Sequence, residues 1–304
     1  MNDVLVGIDP RELSAPALVW AADAAVRRGA RLRLVAAVPP VHDRLPYGPP
    51  ARQSSLRLRA ESALANAEDL VRELHDGLRT ATELVDGTPA TVLCDKARGA
   101  ALAVVGPRHL GRLAEVLCES SVIVPLAARA DCPVVVTRQP EHTTVHPPLI
   151  VVGVDGSRDC RAAVAFAAAE ASLRRARLRA VRVRPLRPRD DGTEDPADDE
   201  RLLAESVAGC AGHHPDVDVD KAVMRGNPVE QLTRASLDAL AVVVGRRGRG
   251  GHSGTRLGST VHGLLHHAAC PVIAVPLPGT GEADTTPSGA ERSRSRKDRP
   301  APTA

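Results

Sequence analysis

Gly245, Gly248 and Gly258, with Ser259 and Thr260 directly after, carry the most suggestive chemistry in the chain. Their spacing is Gly-x2-Gly-x9-Gly-Ser, and the run leaves an aliphatic segment, Leu240 to Val244, to enter a helix expected from Ser259 to about Ala268. Glycine lets a backbone approach an anion closely or take a positive φ. A helix N-terminus offers unpaired N–H groups and the positive end of the helix dipole. Ser259 adds a hydroxyl donor for a phosphate oxygen. Arg246, Arg247 and Arg249 add positive charge, or else point into solvent. On residues alone the run is a phosphate-cradling loop, with a glycine-rich surface turn as the bland reading. Asp155 closes an apolar segment, Leu149 to Val154, and precedes Gly156-Ser157. It either faces a ligand or stabilises the turn that follows. Gly226, ahead of Asn227-Pro228, either walls a pocket or is a turn glycine.

Other chemistries find less support. There is no Gly-x4-Gly-Lys-Ser/Thr loop, no Gly-x-Ser-x-Gly elbow and no Cys-x-x-Cys pair. His262 and His266 have metal-ligand spacing on a helix but no third ligand at a matching distance, so a helix face is the better reading. His213-His214 sit in a loop. No catalytic dyad is visible, and the basic stretch Arg292 to Arg299 reads as solvated tail.

The elements that must position the loop occur twice. Val4-Leu5-Val6-Gly7-Ile8-Asp9 returns as Val151-Val152-Gly153-Val154-Asp155. Gly87-Thr88-Pro89 returns as Gly226-Asn227-Pro228, Val104-Val105-Gly106 as Val243-Val244-Gly245, and Cys132-Pro133-Val134 as Cys270-Pro271-Val272. Four anchors in one order make a tandem repeat. The copies span 1–138 and 149–277, joined by a polar, proline-containing linker from Arg138 to Pro148. Residues 278–304 are rich in Gly, Ser, Thr, Pro and charge, and are expected to be disordered. Strand and helix alternate within each copy, which predicts α/β architecture: two tandem, doubly wound, five-stranded parallel sheets of Rossmann-like type. In the second copy the strands are expected at Leu149–Val154, Arg177–Val183, Val217–Val223, Leu240–Val244 and Cys270–Val275. Ser157 and Asn227 are expected helix caps, with Pro228 in the first turn. An acidic loop is expected around Asp190 to Asp199, and the first copy has a longer second loop, Pro39 to Pro50. Ligands of such sheets bind beyond the carboxyl ends of the strands, where strand order reverses.

Composition agrees. Hydrophobic residues make up 43% and charged residues 25% of 304, a globular balance. Trp20, Tyr47 and Phe166 are the only aromatics other than histidine, so cores must be aliphatic, and base stacking on single strands has no platform. A net charge of +3 is too small to imply a nucleic-acid partner. Six cysteines without pairing motifs, Cys132 and Cys270 reading as small buried hydrophobes at equivalent strand starts, suggest a reduced, cytoplasmic setting. No signal peptide and no membrane-spanning run is indicated.

The Gly-x2-Gly-x9-Gly-Ser loop, the strand ending in Asp155-Gly156-Ser157, the Gly226-Asn227-Pro228 turn and the terminal Cys270-Pro271-Val272 together resemble the universal stress protein family. The resemblance covers about residues 1–137 and 149–276. It implies an adenine nucleotide alpha hydrolase-like fold and ATP as ligand, with or without Mg²⁺. It places Asp155 near ribose and adenine, and Val183 and Gly226 around the adenine. Gly245, Gly248, Gly258, Ser259 and Thr260 would cradle ribose and phosphates. It also implies that the fifth strands pair, as an internal pseudo-dimer or a homodimer, and that occupancy serves a stress-response role through an unidentified protein partner.

The first copy departs from the signature. Gly106 matches, but His109 and Glu119 replace the second and third glycines, leaving Ser120. Glu119 puts a carboxylate where a phosphate belongs. Asp9 is kept, while Pro10-Arg11 replaces Gly-Ser. The first copy is therefore expected to bind ATP weakly or not at all, His109 and Arg108 leaving room for another ligand. The leading expectation is a nucleotide-dependent regulatory protein, not an enzyme, with at most slow ATP hydrolysis. The competing readings are a slow ATPase or adenylyl-transfer enzyme on the same fold, and an interaction module without nucleotide.

Overall fold

The computed structural model describes residues 3–40, 50–106, 122–138, 146–184, 196–249 and 257–278. In the first copy the elements are β1 (Val4–Ile8), α1 (Ala15–Arg28), β2 (Leu32–Val38), α2 (Pro50–Leu74), β3 (Thr80–Asp86), α3 (Pro89–Lys96), β4 (Leu102–Val105), α4 (Ile123–Arg129) and β5 (Val134–Val136). The second copy has β6 (Leu149–Val154), α5 (Arg158–Arg174), β7 (Arg177–Arg184), α6 (Pro196–Val207), α7 (Cys210–His213), β8 (Val219–Arg225), α8 (Pro228–Ala235), β9 (Ala241–Gly245), α9 (Ser259–His267) and β10 (Val272–Val275).

Each copy contributes five parallel strands, in the orders β3-β2-β1-β4-β5 and β8-β7-β6-β9-β10. The two halves fuse into one ten-stranded sheet. The join is antiparallel, with Val272 opposite Val136, Ile273 opposite Val135 and Ala274 opposite Val134. Each fifth strand thus hides the edge of the other, an exposed edge being a template for aggregation. The central strands β4, β5 and β10 are buried along their whole length, as aliphatic runs in covered parallel sheets are. The outer strands β3 and β8 are the half-exposed ones and carry Glu83, Asp220 and Lys221.

Helices cover both faces. One core packs α1, α2, α5 and α6 against the sheet through Leu18, Ala21, Ala67, Ala163, Ala167 and Leu203. The other packs α3, α4, α8 and α9 through Leu93, Leu126, Leu232, Leu264 and Leu265. Each core runs through both copies. The expected caps form: the Ser157 Oγ accepts from the Cys160 N–H at 3.1 Å, and the Asn227 Oδ1 from the Val229 N–H at 2.9 Å.

Some boundaries move. The fifth strands begin at Val134 and Val272, two residues after their cysteines, and the third strand of the second copy begins at Val219. Asp198 and Asp199 lie in the first turn of α6, where acids suit the helix dipole, rather than in a loop. Asp199 accepts from Arg182 at 3.0 Å and from Arg184 at 2.6 Å. Arg138 belongs to the packed first copy rather than the linker: its guanidinium donates to the Leu264 carbonyl at 3.2 Å and to that of Leu265. The expectations for Pro39–Pro50 fall largely outside the described residues, as do those for His109, Glu119 and Ser120, most of the linker, and the tail.

Candidate functional site

The second-copy loop lies at the carboxyl ends of β6 and β9, where strand order reverses. β9 ends at Gly245 and β6 at Val154, so the loop and the Asp155 turn leave the sheet side by side. A Cβ on Gly245 would lie 2.7 Å from the Asp159 carbonyl carbon, and one on Gly248 would lie 2.6 Å from the Asp155 Oδ2. Both are distances that real Cβ atoms do not show, so these glycines are fixed by close approach and not by unusual φ. At Gly226 the backbone itself decides: φ is +133°, and its N–H bonds to the Arg184 carbonyl at the end of β7 at 2.9 Å.

Asp155 is held by two backbone donors. The Ser157 N–H reaches Oδ1 at 2.9 Å and the Arg249 N–H reaches Oδ2 at 3.0 Å. The first bond is the turn-stabilising role; the second ties the glycine loop to β6. Asp159, one turn into the site and only 7% exposed, accepts from the Arg247 N–H at 3.1 Å. The Arg247 guanidinium sits 3.7 Å from the same carboxylate. The Gly258 N–H closes the loop onto the Arg246 carbonyl at 2.9 Å, and Gly258 is the N-cap of α9. Ser259 is exposed at the first position of that helix and Thr260 half-buried beside it. Val183 is buried within β7.

The structure therefore brings Asp155, Gly245, Gly248 and Gly258 into one loop assembly. It places Ser259 and Thr260 at the mouth of α9, and Val183 and Gly226 at the ends of β7 and β8. Sequence reading missed Asp159, an acid in the first turn of a capped helix. It also left open that Arg246 faces solvent. That side chain is 6% exposed and donates to the Ala130 carbonyl of the first copy at 3.0 Å. No local signal reveals a partner 116 residues away.

The first copy holds a small cavity at the equivalent place, of about 70 Å³ and partly open to solvent. Its wall is Val35, Ala37, Leu93, Val105 and Ile123, and its rim carries Asp9, Glu12 and Ser14. Among the described residues no group of three or more His, Cys, Asp or Glu is placed to hold a metal. Neither is any helix among them long and apolar enough to cross a membrane. Among the described residues Cys94, Cys132, Cys160, Cys210 and Cys270 are free, and burial pushes the thiols of Cys132 and Cys270 up to about 12.

Comparison with known proteins is consistent along the chain. The model of the universal stress protein family matches residues 1–138 and 149–276. A universal stress protein of Mycolicibacterium smegmatis is 33% identical over 288 residues, covering 90% of this chain and 96% of its own. One from Mycobacterium tuberculosis is 34% identical over 295 residues, with the same coverage of 90% and 96%. Among solved structures, a universal stress protein from Archaeoglobus fulgidus superposes with a TM-score of 0.70 at 18% identity, over 91% of this chain and 96% of its own.

Proposed function

Since the chain belongs to the universal stress protein family, we propose that its second copy, residues 149–277, binds ATP and that occupancy regulates an interaction with a protein partner. The observation that carries this reading is the steric need for Gly245 and Gly248. Side chains there would drive the loop off β6 and off the mouth of α9. A bare backbone leading to a helix N-terminus is the arrangement that receives phosphates. Gly245, Gly248, Gly258, Ser259 and Thr260 would meet ribose and phosphates. Asp155, its orientation fixed by two N–H donors, would face ribose hydroxyls, and Val183 and Gly226 would bound the base. Mg²⁺ would accompany the phosphates as the nucleotide's own counter-ion. The chemistry assigned to the protein is binding, with no residue given a catalytic role.

The first copy, residues 1–138, is expected to bind ATP weakly or not at all, because His109 and Glu119 replace two of the three loop glycines. The test is the nucleotide content of the purified protein, measured by denaturation and anion exchange, beside a Gly258→Glu variant that copies Glu119. About one ATP per chain, lost in the variant, supports the reading. Two per chain refutes the account of the first copy. None, with no binding on titration, refutes the nucleotide.

A further inference from the structure

We propose that Arg246 is a positioning residue through which the first copy holds the glycine loop of the second, so that the ATP affinity of the second copy is set in part by the helix end at Ala130. The consequence for affinity rests on nucleotide binding by the second copy; the anchoring does not.

The three arginines of this run are placed differently. Arg247 is half-buried and Arg249 exposed. Arg246 is buried, and its Nη1 donates to the Ala130 carbonyl at 3.0 Å. Ala130, buried too, is the C-cap of α4. Taking a guanidinium out of water is costly unless acceptors offset it. The carbonyls that end a helix, at the negative pole of its dipole, are such acceptors. Helix α4 is a firm base, because Ile123, Leu126 and Ala127 fix it in the core that runs through both copies.

The main chain of the same residue joins the two ends of the loop. Its N–H bonds to the Val275 carbonyl at the end of β10 at 2.8 Å, and its carbonyl takes the Gly258 N–H at 2.9 Å. Gly258 heads α9, whose first positions are Ser259 and Thr260. A side chain pinned in the first copy thus fixes a peptide that seats the mouth of α9. The flanking Gly245 has no side chain with which to do this, and none fits there. The hold runs one way. By the register that matches Gly106 to Gly245, Pro107 corresponds to Arg246, and a proline side chain has no donor.

A double-mutant cycle on the full chain tests it. Arg246→Met keeps the stem and removes charge and donors, Arg246→Lys keeps both in a smaller head, and Ala130→Gly loosens the end of α4 in the first copy. Two quantities are read: amide exchange of the Gly258 N–H by NMR without nucleotide, and ATP affinity by titration calorimetry. Arg246→Met is expected to speed Gly258 exchange at least fivefold, with the amides of β5 and β10 unchanged, and to weaken ATP at least fivefold. Arg246→Lys should recover most of both losses. Ala130→Gly should shift both quantities the same way, at least twofold, in the otherwise wild-type chain and not at all beside Arg246→Met, as coupled neighbours do. The proposal is overturned if Arg246→Met leaves Gly258 exchange unchanged, if exchange quickens while ATP affinity holds, or if Ala130→Gly acts equally in both backgrounds. Should Arg246→Met unfold the β5–β10 ladder, Ala130→Gly alone decides, and unchanged Gly258 exchange overturns the proposal. A wild-type chain that binds no ATP would refute the nucleotide reading, and the exchange cycle would then decide the anchoring by itself.

Discussion

A methyl group at position 248 has nowhere to go: the Asp155 Oδ2 lies 2.6 Å from where its carbon would sit. The carboxylate cannot simply rotate away, since backbone donors on Ser157 and Arg249 hold both its oxygens. Gly248→Ala must therefore push the loop outward, at a strain cost of about 1–3 kcal/mol. Titration calorimetry is expected to show ATP binding weakened roughly tenfold or more, matching about 1.4 kcal/mol. An unchanged dissociation constant would mean that the loop does not touch the nucleotide. The first-copy Gly106 is fixed in a similar way, its Cβ position lying 2.0 Å from the Ser14 Oγ. That copy keeps the tight strand end even though its later loop glycines are gone.

At the scale of elements, α1 and α5 meet across the two copies through buried charge. Glu170, 1% exposed, takes Arg174 at 2.5 Å and Arg28 of the first copy. Arg174 also reaches Asp23 at 2.7 Å, and its guanidinium lies 4.0 Å over the Trp20 ring. Removing one member of such a set leaves charge buried without compensation. Glu170→Ala is expected to cost about 3–5 kcal/mol in urea unfolding. Glu170→Leu combined with Arg174→Met should recover much of that loss, since apolar replacement of a buried ion set is often neutral or stabilising. A double variant no better than the single one would show that the network itself sustains the packing. None of this was legible in the sequence, because partners such as Arg28 and Glu170 lie 142 residues apart. The strands and capped helices were legible, being written in aliphatic runs and in Ser157 and Asn227. The loop was legible because Gly245 and Gly248 answer to space that no side chain could share. The start of α6 was misread, since Pro196 with acids after it looks like loop when it is a first helical turn.

For the whole molecule, the two copies share more than a linker. The ladder between β5 and β10 is continued by two reciprocal contacts, Arg138 to the last turn of α9 and Arg246 to the carbonyl that ends α4. Both place a cation at a helix C-terminus, where it complements the dipole. With both cores also running through both copies, unfolding one half strips the other of its partners. Differential scanning calorimetry is expected to give a single transition, with calorimetric and van't Hoff enthalpies equal. Two resolved transitions would show that the halves melt independently.

The antiparallel join between β5 and β10 reverses the sense of one half against the other. Strands β1, β2 and β4 therefore emerge at one end of the sheet, and β6, β7 and β9 at the opposite end. The glycine loop of the second copy and the cavity of the first face away from each other, like the two poles of a bar. A partner docked over one pole would therefore leave the other uncovered.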